Sequence, residues 1–310
     1  MVYLTKQKKE NNTYYYLVEN IQIAKGKRKQ IRKYLGNKEP SETKKQMLIA
    51  EFEKEVEREN AKINGFHYLT NDEIKDVNEI NKAFWTNYNK QNPSVKEEFD
   101  QNFIMAFVFN SNSIEGSTLS PKEVELLLSE NISPNKPLED VLEAKAAQKT
   151  LQFIKNYKEN FDEKFLLKIH EMYFKDTKPY IAGKYKTHQN RVKGSKFEPT
   201  PPKYVITDIK NYFKEYAVLT KELHPLELAA WAHWKLVRIH PFQDGNGRCA
   251  RIIMNFILNK NKYAMIDIKT KEKQQYFSAL EKCHYNNNAR NLATRLVRRF
   301  KKQYKNALKE

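Results

Sequence analysis

The sequence predicts a mainly α-helical protein with one β-hairpin excursion and a small β unit ahead of the helices. Three observations carry this. From Ser41 onward, apolar residues recur at helical spacing in one segment after another. Ahead of them, residues 13–18 form a tyrosine-rich, β-prone run, and residues 30–35 can pair with it. Between two helical stretches, residues 183–203 hold Gly183, Gly194, Pro199, Pro201 and Pro202, a composition that suits a hairpin or flap.

Each element follows from local pattern. Residues 1–12 are polar and expected to be mobile. Lys25-Gly26-Lys27 is the turn candidate of the β unit, and Gly36-Asn37 ends it. Ser41 suits an N-cap, with Leu48, Ile49, Phe52 and Val56 on one helical face. A second helix starts near Thr70-Asn71-Asp72 and repeats Ile74, Val77, Ile80 and Phe84 until Pro93-Ser94 breaks it. Further helices are expected over residues 95–110, 120–129, 138–159, 162–175, 204–220, 225–239, 248–260, 271–285 and 288–306. The chain thus divides into a small basic β unit (1–40), a helical connecting region (41–94) and the main domain (95–310).

Composition bounds the function. A length of 310 residues, 40% of them hydrophobic, supports one sizeable domain plus an accessory unit. No run of about 18 apolar residues exists, so no membrane span is expected. Charged residues follow the opening Met1–Thr5 where an apolar leader would stand. Cys249 and Cys283 cannot make a disulfide framework and fit a reducing cytoplasm. The net charge of +18 is concentrated at the ends: residues 1–40 and 290–310 each carry +7. Nucleic acid or another acidic partner could use these ends, although a lysine-rich composition with solvated basic faces explains them as well. No helix-turn-helix, zinc or RNA-binding signature accompanies the charge.

The chemistry lies in residues 238–251. An amphipathic helix with Leu228, Trp231, Ala232, Leu236 and Val237 ends at His240, because Pro241 disfavours a helical residue before it. A new helix with Ile252, Ile253, Phe256 and Ile257 begins near Arg248. Between them, Asp244-Gly245-Asn246-Gly247 is a turn that aims backbone N–H groups at one point, at the positive end of a helix dipole. Arg248 and Arg251 stand three apart on that helix. Asp244 can hold a divalent cation among phosphate oxygens. His240 is the local group able to take a proton near neutrality. Base, cation ligand, anion nest and two arginines together describe phosphoryl-group transfer. A plain helix–loop–helix would explain any one of these residues, but not the set.

Residues 240–251 also match every fixed position of His-Pro-Phe-x-Asp/Glu-Gly-Asn-Gly-Arg-x-x-Arg, so the chain resembles the Fic (filamentation induced by cAMP) family. The resemblance covers residues 95–290 and leaves out the N-terminal β unit. It implies a Fic-fold helical domain with a β-hairpin flap, acting as a protein adenylyltransferase that moves AMP from ATP to a Ser, Thr or Tyr hydroxyl. It makes His240 the general base and Asp244 the magnesium ligand. It puts Gly245, Asn246 and Gly247 around the α- and β-phosphates, with Arg248 on phosphate and Arg251 on the γ-phosphate. Gly247, where related kinases usually carry lysine, favours AMP transfer. Phe242 would anchor the loop in the core.

Other segments agree with the same family. Ser111-Asn112-Ser113-Ile114-Glu115-Gly116 resembles the inhibitory motif Ser/Thr-x-x-x-Glu-Gly/Asn, in which the glutamate pairs with the second signature arginine and takes the γ-phosphate's place. Gly116 also reads as a helix C-cap. The flap around Val192 and Gly194 resembles the target-binding hairpin, whose edge can pair with an extended segment. Tyr276 lies in a stretch resembling the wall of the adenine pocket. His284 stands where asparagine is frequent, which leaves the base open, UTP included. The acceptor protein is unknown from the sequence, and self-modification and a homodimer remain open. Two other functions also remain open: removal of AMP with Glu115 activating water, and a basic nucleic-acid-binding regulator with a secondary Fic site.

Overall fold

The computed structural model describes residues 2–9, 12–24, 27–64, 68–190 and 197–306. It comprises three strands and eleven α-helices among the described residues, and splits into two compact units, Met1–Asp76 and Val77–Glu310.

In the first unit, β1 (Tyr3–Lys9), β2 (Asn12–Ala24) and β3 (Lys27–Gly36) form an antiparallel sheet in the order β1-β2-β3. β2 and β3 are the pair read from the sequence. β1 is an addition: it pairs Tyr3 with Val18 through Lys9 with Asn12. A polar edge strand lacks the apolar alternation that announces a strand, which is why residues 1–12 looked featureless. The helix α1 (Glu42–Asn64) packs against β2, with Leu17, Ile21 and Phe52 buried and Lys33 bonded to Glu55 at 2.8 Å. Lys25 and Gly26, the expected turn, lie outside the described residues.

The second unit is helical. After α2 (Asn71–Lys90) come α3 (Pro93–Glu115), α4 (Pro121–Ser129), α5 (Leu138–Asn156) and α6 (Glu163–Phe174). Then follow α7 (Pro202–Leu219), α8 (Pro225–Ile239), α9 (Asn246–Lys260), α10 (Lys273–Asn286) and α11 (Arg290–Tyr304). Their starts are written in side chains. Asn92 accepts from Val95 N with Pro93 in the first turn, Ser120 and Glu123 make a capping box, and Asp162 caps α6. The core is the α8–α9 pair, whose residues are nearly all buried and which α5, α6, α7 and α10–α11 surround. This pair holds the connecting loop, residues 240–245, at the end of two fully packed helices. The described flanks of the expected flap, 183–190 and 197–201, carry no strand, and residues 191–196 lie outside the described residues.

Candidate active site

The loop between α8 and α9 is built under constraint. His240 ends α8 in the left-handed region (φ 53°, ψ 57°), a conformation uncommon for a residue with a Cβ. Its N–H still bonds the Leu236 carbonyl at 2.9 Å. Phe242 is fully buried and stacks on His170 at 3.9 Å. Asn246 is buried with its side chain closed on the Phe242 backbone, accepting from its N–H (2.9 Å) and donating to its carbonyl (2.8 Å). The side chain of Asn246 therefore shapes the loop, and its backbone N–H begins the nest. Gly245 has φ 79°, and a Cβ there would lie 2.2 Å from Phe174 Cε2. Only glycine meets both demands.

His240 Nδ1–H donates to the Val237 carbonyl at 3.3 Å, which leaves Nε2 with its lone pair. Burial, aided by the nearby Lys186 ammonium, pulls its pKa down to about 4. The imidazole is thus neutral at pH 7. Lys186 is itself buried, with its pKa lowered to about 8 by desolvation, and bonds Asn190 Oδ1 at 2.8 Å. Asn190 in turn donates to the Phe242 carbonyl at 2.9 Å, which braces the loop from outside.

Asp244, Arg248, Glu143, Lys178 and Glu139 form one charged network. Arg248 Nη1 bonds Glu143, and its Nη2 bonds Asp244 Oδ1 at 3.0 Å. Lys178 Nζ bonds Asp244 Oδ2 at 2.6 Å and Glu139 Oε1 at 2.7 Å. Burial alone would raise the Asp244 carboxyl, but Arg248 and Lys178 outweigh it and hold the pKa at about 2. Glu143 lies on the buried side of α5, where desolvation pushes its carboxyl up against the pull of Arg248.

Arg251 is buried in a pocket of acceptors. Its Nε donates to Ser111 Oγ (3.0 Å), and its Nη2 donates to the Ser111 carbonyl (2.9 Å) and to Glu115 Oε1 (2.7 Å). Nη1 approaches Tyr276 Oη at 3.4 Å, and the Tyr276 hydroxyl is hydrogen-bonded with His233 Nε2 at 2.8 Å. Tyr276 is fully buried, so it serves Arg251 by its hydroxyl, while the neighbouring Phe277 is 42% exposed. Glu115 is the last residue of α3, and Gly116 caps that helix with φ 111°. The carboxylate lies over the nest: Oε1 is 2.3 Å from where a Cβ on Gly247 would stand. It occupies an anion's place at the start of α9.

The structure thus gathers His240, Asp244, Gly245, Asn246, Gly247, Arg248, Arg251, Tyr276, Ser111, Glu115 and Gly116 around one point. Val192 and Gly194 lie outside the described residues. Glu143, Lys178, Lys186, Asn190 and His170 had no motif to announce them. Glu143 alone left a sequence signal, as an acid in the helical stripe with Ala147, Thr150 and Ile154. Magnesium fits the donor set at one point. Asp244 supplies a single ionised, half-exposed carboxylate, and no three-ligand cluster exists among the described residues. Mg²⁺ held by one carboxylate and substrate phosphates needs no more.

A helical domain with an anion nest, two arginines and a neutral histidine at one helix start has the chemistry to hold a phosphate group. Residues 160–258 match the family described as Fic/DOC. It is 27% identical over 218 residues to the protein adenylyltransferase fic-1 of Caenorhabditis elegans, covering 67% of this chain and 41% of that protein. It is 28% identical over 200 residues to the protein adenylyltransferase Fic of Nematostella vectensis, covering 62% and 45%. The chain therefore spans less than half the length of these curated relatives. Among solved structures, a Fic-domain signalling protein from Bacteroides thetaiotaomicron superposes with a TM-score of 0.69 at 26% identity, covering 75% of this chain and 95% of that one. A fragment of C. elegans Fic-1 shares the fold (TM-score 0.65, 21% identity, 86% and 77% covered).

Proposed function

We propose that the chain is a protein adenylyltransferase that transfers AMP from ATP to a protein hydroxyl and is held back by its own Glu115. The observation that carries this is the pairing of Glu115 with Arg251 directly over the Gly247 nest. A carboxylate needs those donors no more than a γ-phosphate does, and both cannot have them. ATP bound beside Glu115 is then turned away from the nucleophile. The names of the curated relatives agree with AMP transfer.

In the reaction, His240 Nε2 takes the proton of an incoming Ser, Thr or Tyr hydroxyl. The oxygen attacks the α-phosphorus, the bond to the β-bridging oxygen breaks, and pyrophosphate leaves with that electron pair. The N–H groups opening α9, with Arg248 and Arg251, receive the charge that builds on the phosphates. Asp244 would hold magnesium, which would supply charge neutralisation to the substrate phosphates. The flap around Val192 and Gly194 is the acceptor-binding edge in this reading. Two buried free thiols, Cys249 and Cys283, accord with a reducing compartment such as the cytoplasm. Among the described residues no helix is long and apolar enough to cross a membrane.

The test is incubation with labelled ATP, magnesium and lysate, followed by mass spectrometry of AMP adducts. His240→Ala should lose transfer by about 10²–10⁴-fold while still binding ATP, since the base acts on the nucleophile. Undiminished transfer by that variant would remove His240 from the mechanism.

A further inference from the structure

The proposed reaction leaves the N-terminal sheet unused. Its two faces differ in kind. On one face α1 packs, Leu17 and Ile21 are buried, and the β3 cations are Lys29 and Lys33, with Lys33 held by Glu55. The pairing register puts another set on the opposite face. From β1 come Tyr3, Thr5, Gln7 and Lys9, and from β2 Asn12, Tyr14, Tyr16, Val18 and Asn20. β3 adds Arg28, Gln30, Arg32 and Tyr34. All four of these β3 residues are exposed, as are Tyr3, Gln7, Lys9 and Asn20, while Val18 at the centre is buried. Among the described residues this face carries no carboxylate.

The cations that β3 brings to it are not those the composition would supply. Of the chain's 56 Lys/Arg residues only eleven are arginine. A solvated basic strand in such a chain would carry lysine on both faces. Instead β3 has lysine toward α1 and arginine outward. Arginine differs by its planar, forked donors, which match a guanine edge or a phosphate. Arg32 is held in place by the Tyr16 ring, 4.6 Å from its guanidinium, and Tyr16 leans on Tyr34 with centroids 5.4 Å apart. A guanidinium ordered before contact loses less entropy on binding.

The dimensions then select the ligand. The DNA major groove, about 12 Å wide, admits a two-stranded ribbon, and β2 and β3, about 4.8 Å apart, present one. Alternate residues on a strand stand about 6.8 Å apart, two base-pair steps of about 3.4 Å. Arg28, Gln30 and Arg32 follow that spacing, and Asn20 lies beside Gln30, whose amide reaches it at 3.4 Å. Arginine pairs with guanine and the amides with adenine. We propose that the open face of the N-terminal sheet is a docking surface for duplex DNA, entering the major groove with Arg28, Gln30 and Arg32 toward the base edges.

The experiment uses the full chain and a labelled, mixed-sequence DNA duplex, with anisotropy read across a salt series. Affinity should fall steeply with salt. Arg28→Gln/Arg32→Gln should weaken binding at least about tenfold at one salt concentration. Arg290→Gln/Arg298→Gln removes the same charge from α11 and should change it less than about twofold. The matching single strand and heparin should compete weakly. Any of three results overturns the proposal: no duplex binding, single strand or heparin bound as tightly as duplex, or equal loss in both double variants, which would assign binding to net charge.

Discussion

Replacing Gly247 by alanine probes the Glu115 contact without touching Glu115. A Cβ at 247 would meet Glu115 Oε1 at 2.3 Å, Cδ at 3.3 Å and Arg251 Nη1 at 3.2 Å. Ordinary contact requires the carboxylate to retreat by roughly 1 Å, which breaks its 2.7 Å bond to Arg251. Arg251 keeps Ser111 and Tyr276, and the Glu115 side chain is 33% exposed. The loss is therefore that of a half-screened pair, about 1–2 kcal/mol. Against it, alanine in a helix gains up to about 1 kcal/mol over glycine. In wild type Gly247→Ala should be neutral to destabilising. In a Glu115→Gly background the contact is gone and the same change should stabilise. The quantity predicted is the coupling, about 1–2 kcal/mol, from urea unfolding of all four proteins followed by the fluorescence of buried Trp231 and Trp234. Additive effects within about 0.5 kcal/mol would refute the placement of the carboxylate over the nest.

Two further outcomes concern the surrounding charges. Glu143→Gln leaves Arg248 without its buried anion, so Arg248 is positioned less well for phosphate. ATP affinity should weaken about tenfold with the pH profile of transfer unchanged; unchanged affinity in a filter or calorimetric assay would make Glu143 a packing residue only. His170, His224, His240 and His284 have pKa values held near 4, and His233 near 3, chiefly by burial. Each is neutral in the fold but binds a proton below about 6.5 when unfolded. The unfolded chain therefore takes up more protons between these values, and stability should fall as pH drops from about 6.5 toward 4. A urea midpoint that is flat across this window would mean these rings are not desolvated.

The signature loop was legible because its parts are contiguous. Thr13–Val18 and the helical stripes also declared their elements, since each has a period that only one backbone satisfies. What escaped was assembled from remote segments. Glu143 and Lys178 come from elsewhere in the chain and meet Asp244 and Arg248 only after α5 and α6 pack beside α9. Lys186 belongs to no motif, yet it is buried beside His240. The resemblance puts Tyr276 near the nucleotide, but its inward hydroxyl and its contact with His233 are matters of packing. β1 escaped for the opposite reason: as a polar edge strand it needs no apolar pattern, only a partner in register.

The central claim is that Glu115 and a productive γ-phosphate compete for Arg251. The direct measurement is incorporation of labelled AMP by wild type, Glu115→Gly, Arg251→Ala and the double variant at equal ATP. Glu115→Gly should raise incorporation at least about tenfold, equivalent to roughly 1.4 kcal/mol. Arg251→Ala and the double variant should both stay low, because the phosphate's own partner is gone. Equal, low incorporation by wild type and Glu115→Gly, with both folded and ATP-bound, would contradict the account and shift Glu115 to activating water for AMP removal.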